Sequence, residues 1–194
     1  MNTQQLLARF QLSAPIEKTE LRSSKLSASK RASAVILPLI DIDHQAHILL
    51  CKRPIHLKHH PGEICLPGGK HERNDKTLRD TALRELKEEL NISPQQVSIS
   101  GKLANYSTLT GFTITPYVGL LAPNTHWQAD QNEVSASFLI PISKLIDVNN
   151  WQPLPFERHG EIVTLQGFST PYGLLWGATA SIIKNFTKQL AIPV

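Results

Sequence analysis

The sequence predicts an α+β fold, on three observations. Short runs rich in Val, Ile and Leu recur at hairpin spacing with turn residues between them. The apolar period becomes helical over Lys76–Leu90 and again over Trp176–Leu190. Hydrophobic residues make up 41% and charged residues 19%, the composition of a chain that buries a core. Helices scattered among hairpin-like strands are the mark of this class rather than of a strictly alternating α/β chain.

The elements follow in order. Leu6, Leu7 and Phe10 have helical spacing over 2–10, and 12–32 reads as a polar connector. Ala34–Asp41 has the composition of a buried strand, and 46–52 of a second one, with Asp43-His44-Gln45 as the turn. Residues 53–75 read as one long loop rich in His, Pro and Gly, and such loops are usually functional. Over Lys76–Leu90, the residues Leu78, Ala82, Leu83, Leu86 and Leu90 share one helix face, and Asp75 is a suitable N-cap. Strands are expected at 97–107, 112–121, 134–140, 151–157 and 161–168, with a short helix near 142–147. The helix from Trp176 turns Ala178, Ile182, Ile183 and Phe186 inward. Trp151 and Trp176 are expected in the core.

The chain has 194 residues, which suits one domain, divided here into an N-terminal helix and basic connector (1–32) and a main domain (33–194). Its net charge of +4 is uneven, because residues 1–31 hold six basic side chains (Arg9, Lys18, Arg22, Lys25, Lys30, Arg31) against Glu17 and Glu20. That surplus is too small and too local for a nucleic-acid binder and fits a surface near an anionic small molecule. The longest purely apolar run, Ala34–Ile40, is seven residues and contains Pro38, so no membrane span is expected. Without an apolar leader segment, a cytoplasmic location is the expectation. Cys51 and Cys65 are too few for a disulfide scaffold and are expected as buried strand or loop residues. The His56, His59, His60 run lacks a Cys partner and a helix, which argues against zinc and leaves His60 as a phosphate or adenine contact.

The chemistry concentrates in Arg84-Glu85-Leu86-Lys87-Glu88-Glu89-Leu90. Glu85, Glu88 and Glu89 lie on one side of a helix, where like charges repel unless a cation sits among them. All-oxygen donors favour a hard ion, Mg²⁺ or Mn²⁺. The rival reading is a solvated face balanced by Arg84 and Lys87. The Pro67-Gly68-Gly69 turn just upstream tips the balance, because it lets backbone approach a ligand closely.

Turn and helix together resemble the Nudix hydrolases, which carry G-x5-E-x7-R-E-U-x-E-E-x-G-U with U apolar. Gly69 is followed by Asp75 in place of the first Glu, by eight rather than seven residues, and then by Arg84-Glu85-Leu86-Lys87-Glu88-Glu89-Leu90-Asn91-Ile92. Asn91 replaces the last Gly, and Asn is the next-best residue for a left-handed helix cap. The extra residue, with Leu49-Leu50-Cys51-Lys52-Arg53, Gly62, Pro67-Gly68-Gly69 and Asp75, resembles the coenzyme A pyrophosphatases of this superfamily. Thr115-Pro116, Asn132-Glu133-Val134 and Trp176-Gly177-Ala178-Thr179-Ala180 extend the likeness over most of 33–190.

The resemblance implies a Nudix α/β/α sandwich around a central mixed sheet. It also implies metal-dependent hydrolysis of the coenzyme A pyrophosphate to 4′-phosphopantetheine and adenosine 3′,5′-bisphosphate. Glu85, Glu88 and Glu89 would hold Mg²⁺ or Mn²⁺, and Arg84 would fix the carboxylates. Glu85 or Glu89, or Glu133 from the opposite strand, would act as base. Arg53, Lys58, His60, Gly62, Gly68 and Gly69 would meet the substrate. The alternatives are a Nudix pyrophosphatase for ADP-ribose or a dinucleotide, and a nucleotide sensor without activity, against which the intact acids argue. The partner is a small molecule, with neither nucleic acid nor membrane, and a homodimer is compatible with the sequence.

Overall fold

A computed structural model describes residues 1–13, 31–108, 110–158 and 160–191. Most of the expected connector, with Lys18, Arg22, Lys25 and Lys30, lies outside the described residues. The elements are α1 (Thr3–Leu12), β1 (Arg31–Ile42), β2 (Gln45–Lys52), β3 (Ile64–Cys65), β4 (Gly68–Lys70), α2 (Leu78–Leu90), β5 (Val97–Lys102), β6 (Tyr106–Ser107), β7 (Phe112–Leu121), β8 (Ala136–Pro141), α3 (Ile142–Ile146), β9 (Trp151–Arg158), β10 (Glu161–Thr170), β11 (Gly173–Leu175) and α4 (Gly177–Ala191).

The main sheet is mixed. β1 runs parallel to β7, from Arg31 opposite Phe112 to Leu39 opposite Leu120, and its other pairings are antiparallel. β1 is buried along most of its length because both faces of the sheet are covered, which is why it reads as a continuous apolar run. One face carries α2, whose Leu86 and Leu90 share a core with Ala34, Ile36, Leu49 and Cys51. The other carries α1, α3, α4 and the separate sheet β9–β10–β11, over a core that includes Leu6, Leu37, Ile48, Leu50, Phe168 and Phe186. The architecture is the expected α/β/α sandwich. No helix among the described residues is long and apolar enough to cross a membrane.

The β1–β2 hairpin builds the ground for the site. Asp43 and His44 both have positive φ, 48° and 61°, as a two-residue turn matching strand twist requires. Near this turn the strands pair with each other, Leu39 opposite Ile48. Farther away they part: Ser33–Val35 pair with β4, and Cys51–Lys52 pair with β3. The segment 53–75 is therefore not one loop as expected. Two short strands fill the fork through backbone pairing, and two or three residues are too few for apolar periodicity to reveal.

Other differences have equally local causes. The expected strand over 97–107 divides into β5 and β6, after a register shift between Ile99 and Gly101. β11 is only three residues long and escaped the sequence reading. Trp151 is buried, whereas Trp176 is 40% exposed, ahead of Gly177 with its φ of 66°. Helix α2 begins at Leu78 with Thr77 as its cap, the Thr77 hydroxyl accepting Asp80 N at 3.2 Å. Asp75 is thus not the N-cap; it has been taken by a stronger partner, the Arg84 guanidinium. At the far end Asn91 adopts the left-handed conformation (φ 55°, ψ 28°) and donates its N–H to Lys87 O, as its place in the motif suggests.

Candidate active site

Helix α2 presents its apolar stripe to the sheet and Arg84, Glu85, Glu88 and Glu89 beside it. Arg84 organises this face. Its Nε donates to Asp75 Oδ1 at 2.9 Å and its Nη2 to Asp75 Oδ2 at 3.1 Å, a bidentate pair. Asp75 Oδ2 also accepts the Thr81 hydroxyl and Glu72 N, each at 2.9 Å. So many donors, Arg84 first, hold the buried Asp75 carboxyl well below the usual carboxylate range. Arg84 spends its remaining donors on the site: Nη1 lies 2.9 Å from Glu85 Oε1 and 2.8 Å from Glu88 Oε2, and Nη2 donates to Lys70 O at 3.1 Å.

The carboxylates divide into two groups. Glu85, Glu89 and Glu133 each bring an oxygen to within 4.8 Å of the others, although Glu133 comes from the loop before β8. Glu88 lies outside this group, half exposed and turned to Arg84. Glu89 is 3% exposed, and burial, followed by the charge of Glu85, pushes its carboxyl up to about 8. Gly68 N–H, 3.3 Å from Glu89 Oε2, and the Arg53 charge oppose that rise. Glu85 is also raised, chiefly by burial and against the pull of Arg84. Three crowded oxygen donors, two with raised proton affinity, fit a hard divalent cation, which would replace the protons.

Strand β4 forms the opposite wall. Gly68 has a φ of 148° and runs so close to β1 that a Cβ would strike the Ala34 carbonyl and Val35 Cα. At Gly69 a Cβ would overlap the Glu85 carboxylate. The missing side chain thus lets Gly68 pack directly on β1 and lets Gly69 lie against the Glu85 carboxylate.

The proposed substrate residues are spread more widely. Arg53 continues β2 into the site, its N–H bonded to Glu63 O at 2.9 Å, and its Nε is buried with no hydrogen-bond partner among the described residues. Gly62 takes a positive φ of 71° in the turn that returns the chain to β3. Lys58 is exposed, and His60, also with positive φ, bonds Glu63 Oε2 through Nδ1 at 2.9 Å. Cys51 and Cys65 face one another across β2 and β3 as free thiols, raised by burial, Cys65 to about 12. Sequence reasoning missed the Lys70 carbonyl, the Thr81 hydroxyl and the Asp130 turn. Only the last left a trace, the Asp130-Gln131-Asn132 spacing of a side-chain-closed turn.

Comparison with known proteins bears on this arrangement. The family model for the NUDIX domain matches residues 30–171. An uncharacterized Nudix hydrolase NudL from Enterobacter sp. (strain 638) is 35% identical over 186 residues, 96% of this chain and 93% of that protein. Its counterpart from Salmonella dublin is 34% identical with the same coverage. Among solved structures, a C. elegans Ap4A hydrolase binary complex superposes with a TM-score of 0.56 at 15% identity, covering 83% of this chain and 98% of that one. A MutT/nudix family protein from Enterococcus faecalis gives 0.54 at 18% identity, covering 84% and 63%. The structures share the fold, while the domain match and the full-length relatives place this chain in the Nudix hydrolase family.

Proposed function

We propose that the protein hydrolyses the pyrophosphate bond of coenzyme A, and of its thioesters, to 4′-phosphopantetheine and adenosine 3′,5′-bisphosphate, using Mg²⁺ or Mn²⁺. The observation that carries the chemistry is the convergence of Glu85, Glu89 and Glu133, from a helix and a separate loop, on one point. These three residues would hold the ion, and the exposed Glu88 on the same helix would join if a second ion binds. The cation supplies charge neutralisation for the pyrophosphate oxygens and acidity for the attacking water.

The chain's own groups do the rest. Arg84, clamped by Asp75, keeps Glu85 and Glu88 in place through charge-assisted bonds. The missing side chain of Gly69 leaves the space against α2 that the Glu85 carboxylate occupies. Arg53, whose Nε has no hydrogen-bond partner among the described residues, would donate from its guanidinium to a phosphate oxygen. Glu133 is the exposed member of the three acids and provides the route by which the proton of the attacking water leaves. The choice of coenzyme A is supported by the likeness of 49–75 to its pyrophosphatases and by the basic residues Arg53 and Lys58 on the loop leading to the site.

A substrate panel tests the reading. Coenzyme A, dephospho-coenzyme A, ADP-ribose and a dinucleoside tetraphosphate are each incubated with Mg²⁺ or Mn²⁺, and the products are weighed by mass spectrometry. The expected result is a higher kcat/KM on coenzyme A, with cleavage only when metal is present. Faster hydrolysis of ADP-ribose than of coenzyme A would sink the substrate assignment and leave the metal chemistry standing.

A further inference from the structure

The loop that carries Glu133 is tied at both ends to the site it serves. At its start Gln128 N donates to Leu90 O and Asp130 N to Glu89 O, both at 3.0 Å. At its end Ser135 N donates to Lys52 O at 2.8 Å, and the Ser135 hydroxyl lies 3.1 Å from Lys52 O and 3.3 Å from Arg53 O. Between the anchors one residue gathers the chain. The Asp130 carbonyl accepts Glu133 N at 3.0 Å and Val134 N at 2.8 Å. Its Oδ1 accepts Asn132 N and Asn132 Nδ2, both at 2.9 Å. Glu89 and Glu133 are thus joined through Asp130, whose N–H bonds the backbone of one acid and whose carbonyl bonds the backbone of the other. Val134, buried under the turn, fixes its depth.

We propose that Asp130 is the positioning residue for Glu133. Its carboxylate closes the turn over Gln131 and so sets the direction in which Glu133 projects toward Glu85 and Glu89. The inference rests on the cation-site reading above. Without that closure the tip of an exposed loop samples other conformations, and the third carboxylate leaves the group. The role requires an acceptor oxygen at the Oδ1 position and not a charge. Asn retains that oxygen and Ala does not.

The test reads Mn²⁺ affinity of the full chain by electron paramagnetic resonance, with no substrate present, beside the melting temperature of the metal-free protein. Asp130→Ala is expected to weaken Mn²⁺ binding roughly three- to tenfold, the effect of losing an ordinary hydrogen bond. Asp130→Asn should bind within about twofold of wild type, the fluctuation expected when the bond is kept. Asp130→Ser, with its weaker turn-closing hydroxyl, should fall between them and supplies the comparison if the Ala variant does not fold. In a Glu133→Gln background a change at Asp130 should add nothing, because its path to the ion runs through Glu133. Wild-type affinity in Asp130→Ala, an equal loss in Asp130→Asn, or a full further loss in the Glu133→Gln background overturns the assignment alone. Failure of the wild type to bind Mn²⁺ overturns the site reading, and the assignment with it.

Discussion

Burial, followed by the charge of Glu85, raises the Glu89 carboxyl from 4.5 to about 8, so the metal-free native state favours its protonated form at neutral pH. The consequence for stability has a definite sign. Between those two values the metal-free native state holds a proton that the unfolded chain has released, so stability falls as pH rises across the window. Asp75 acts in the opposite sense, since its depressed carboxyl contributes stability that is lost only as the pH falls below the ordinary carboxylate range. Differential scanning of metal-free protein from pH 5 to 8 should therefore show a downward slope in melting temperature that Glu89→Gln reduces. An unchanged slope would mean that Glu89 is ionised before metal binds. With metal, Glu85→Gln and Glu89→Gln should each lower turnover by about two to three orders of magnitude, the loss expected for an essential electrostatic group. Near wild-type turnover at saturating metal would remove that residue from the site. At Arg53 and Lys58, Ala variants should lose roughly ten- to a hundredfold in kcat/KM on coenzyme A. The one that meets the 3′-phosphate should lose less on dephospho-coenzyme A; equal losses on both substrates would move the contact to the shared pyrophosphate.

Two adjacent glycines in β4 separate fold from chemistry. Gly68→Ala would drive a methyl into the backbone of β1 at a positive φ, so the cost should fall on stability, about 1–3 kcal/mol or more. Gly69→Ala would instead press on a carboxylate at the end of a side chain, which can turn away. Its expected result is at least about a tenfold loss of turnover, as for a misplaced catalytic group, with a smaller change in melting temperature. Thermal scans beside kcat measurements on the pair decide the matter, and the same ranking in both assays would refute the division. The helices and long strands were legible in the chain because their apolar spacing repeats over several turns or residues. β3, β4 and β11 were not, since each is two or three residues long, too short for an alternating pattern of side chains to show. The helix boundary was misread at Asp75 because two residues compete there: Thr77 caps, and Asp75 is drawn to a guanidinium nine residues away.

α1 lies across the sheet from the acids yet belongs to the same body. Thr3 N donates to Asp41 Oδ1 at 2.9 Å, Leu6 is fully buried, and the Phe10 ring packs on Phe186 with centroids 5.7 Å apart. Phe10→Ala should destabilise the protein by about 3–5 kcal/mol, as for a large aromatic lost from a core. Turnover well below the melting temperature should stay near wild type; a collapse of kcat there would show that this face reaches the site. The parts of the molecule readable in one dimension are those whose physics is local: the amphipathic stripe of α2, the left-handed cap at Asn91, the glycine pair, and the row of acids at helical spacing. Their spacing alone places Glu85, Glu88 and Glu89 on one helix face. Which carboxylates meet is a different matter, because Glu88 and Glu133 are sorted by the Arg84 clamp and by a loop folded back from forty-odd residues later in the chain. Such contacts depend on the sheet's register and on competition among several hydrogen-bond partners, and neither has a signature in neighbouring residues. The sequence therefore carries the acids and the helix, and the packing of α2 against β4 and the Asp130 loop brings Glu85, Glu89 and Glu133 together.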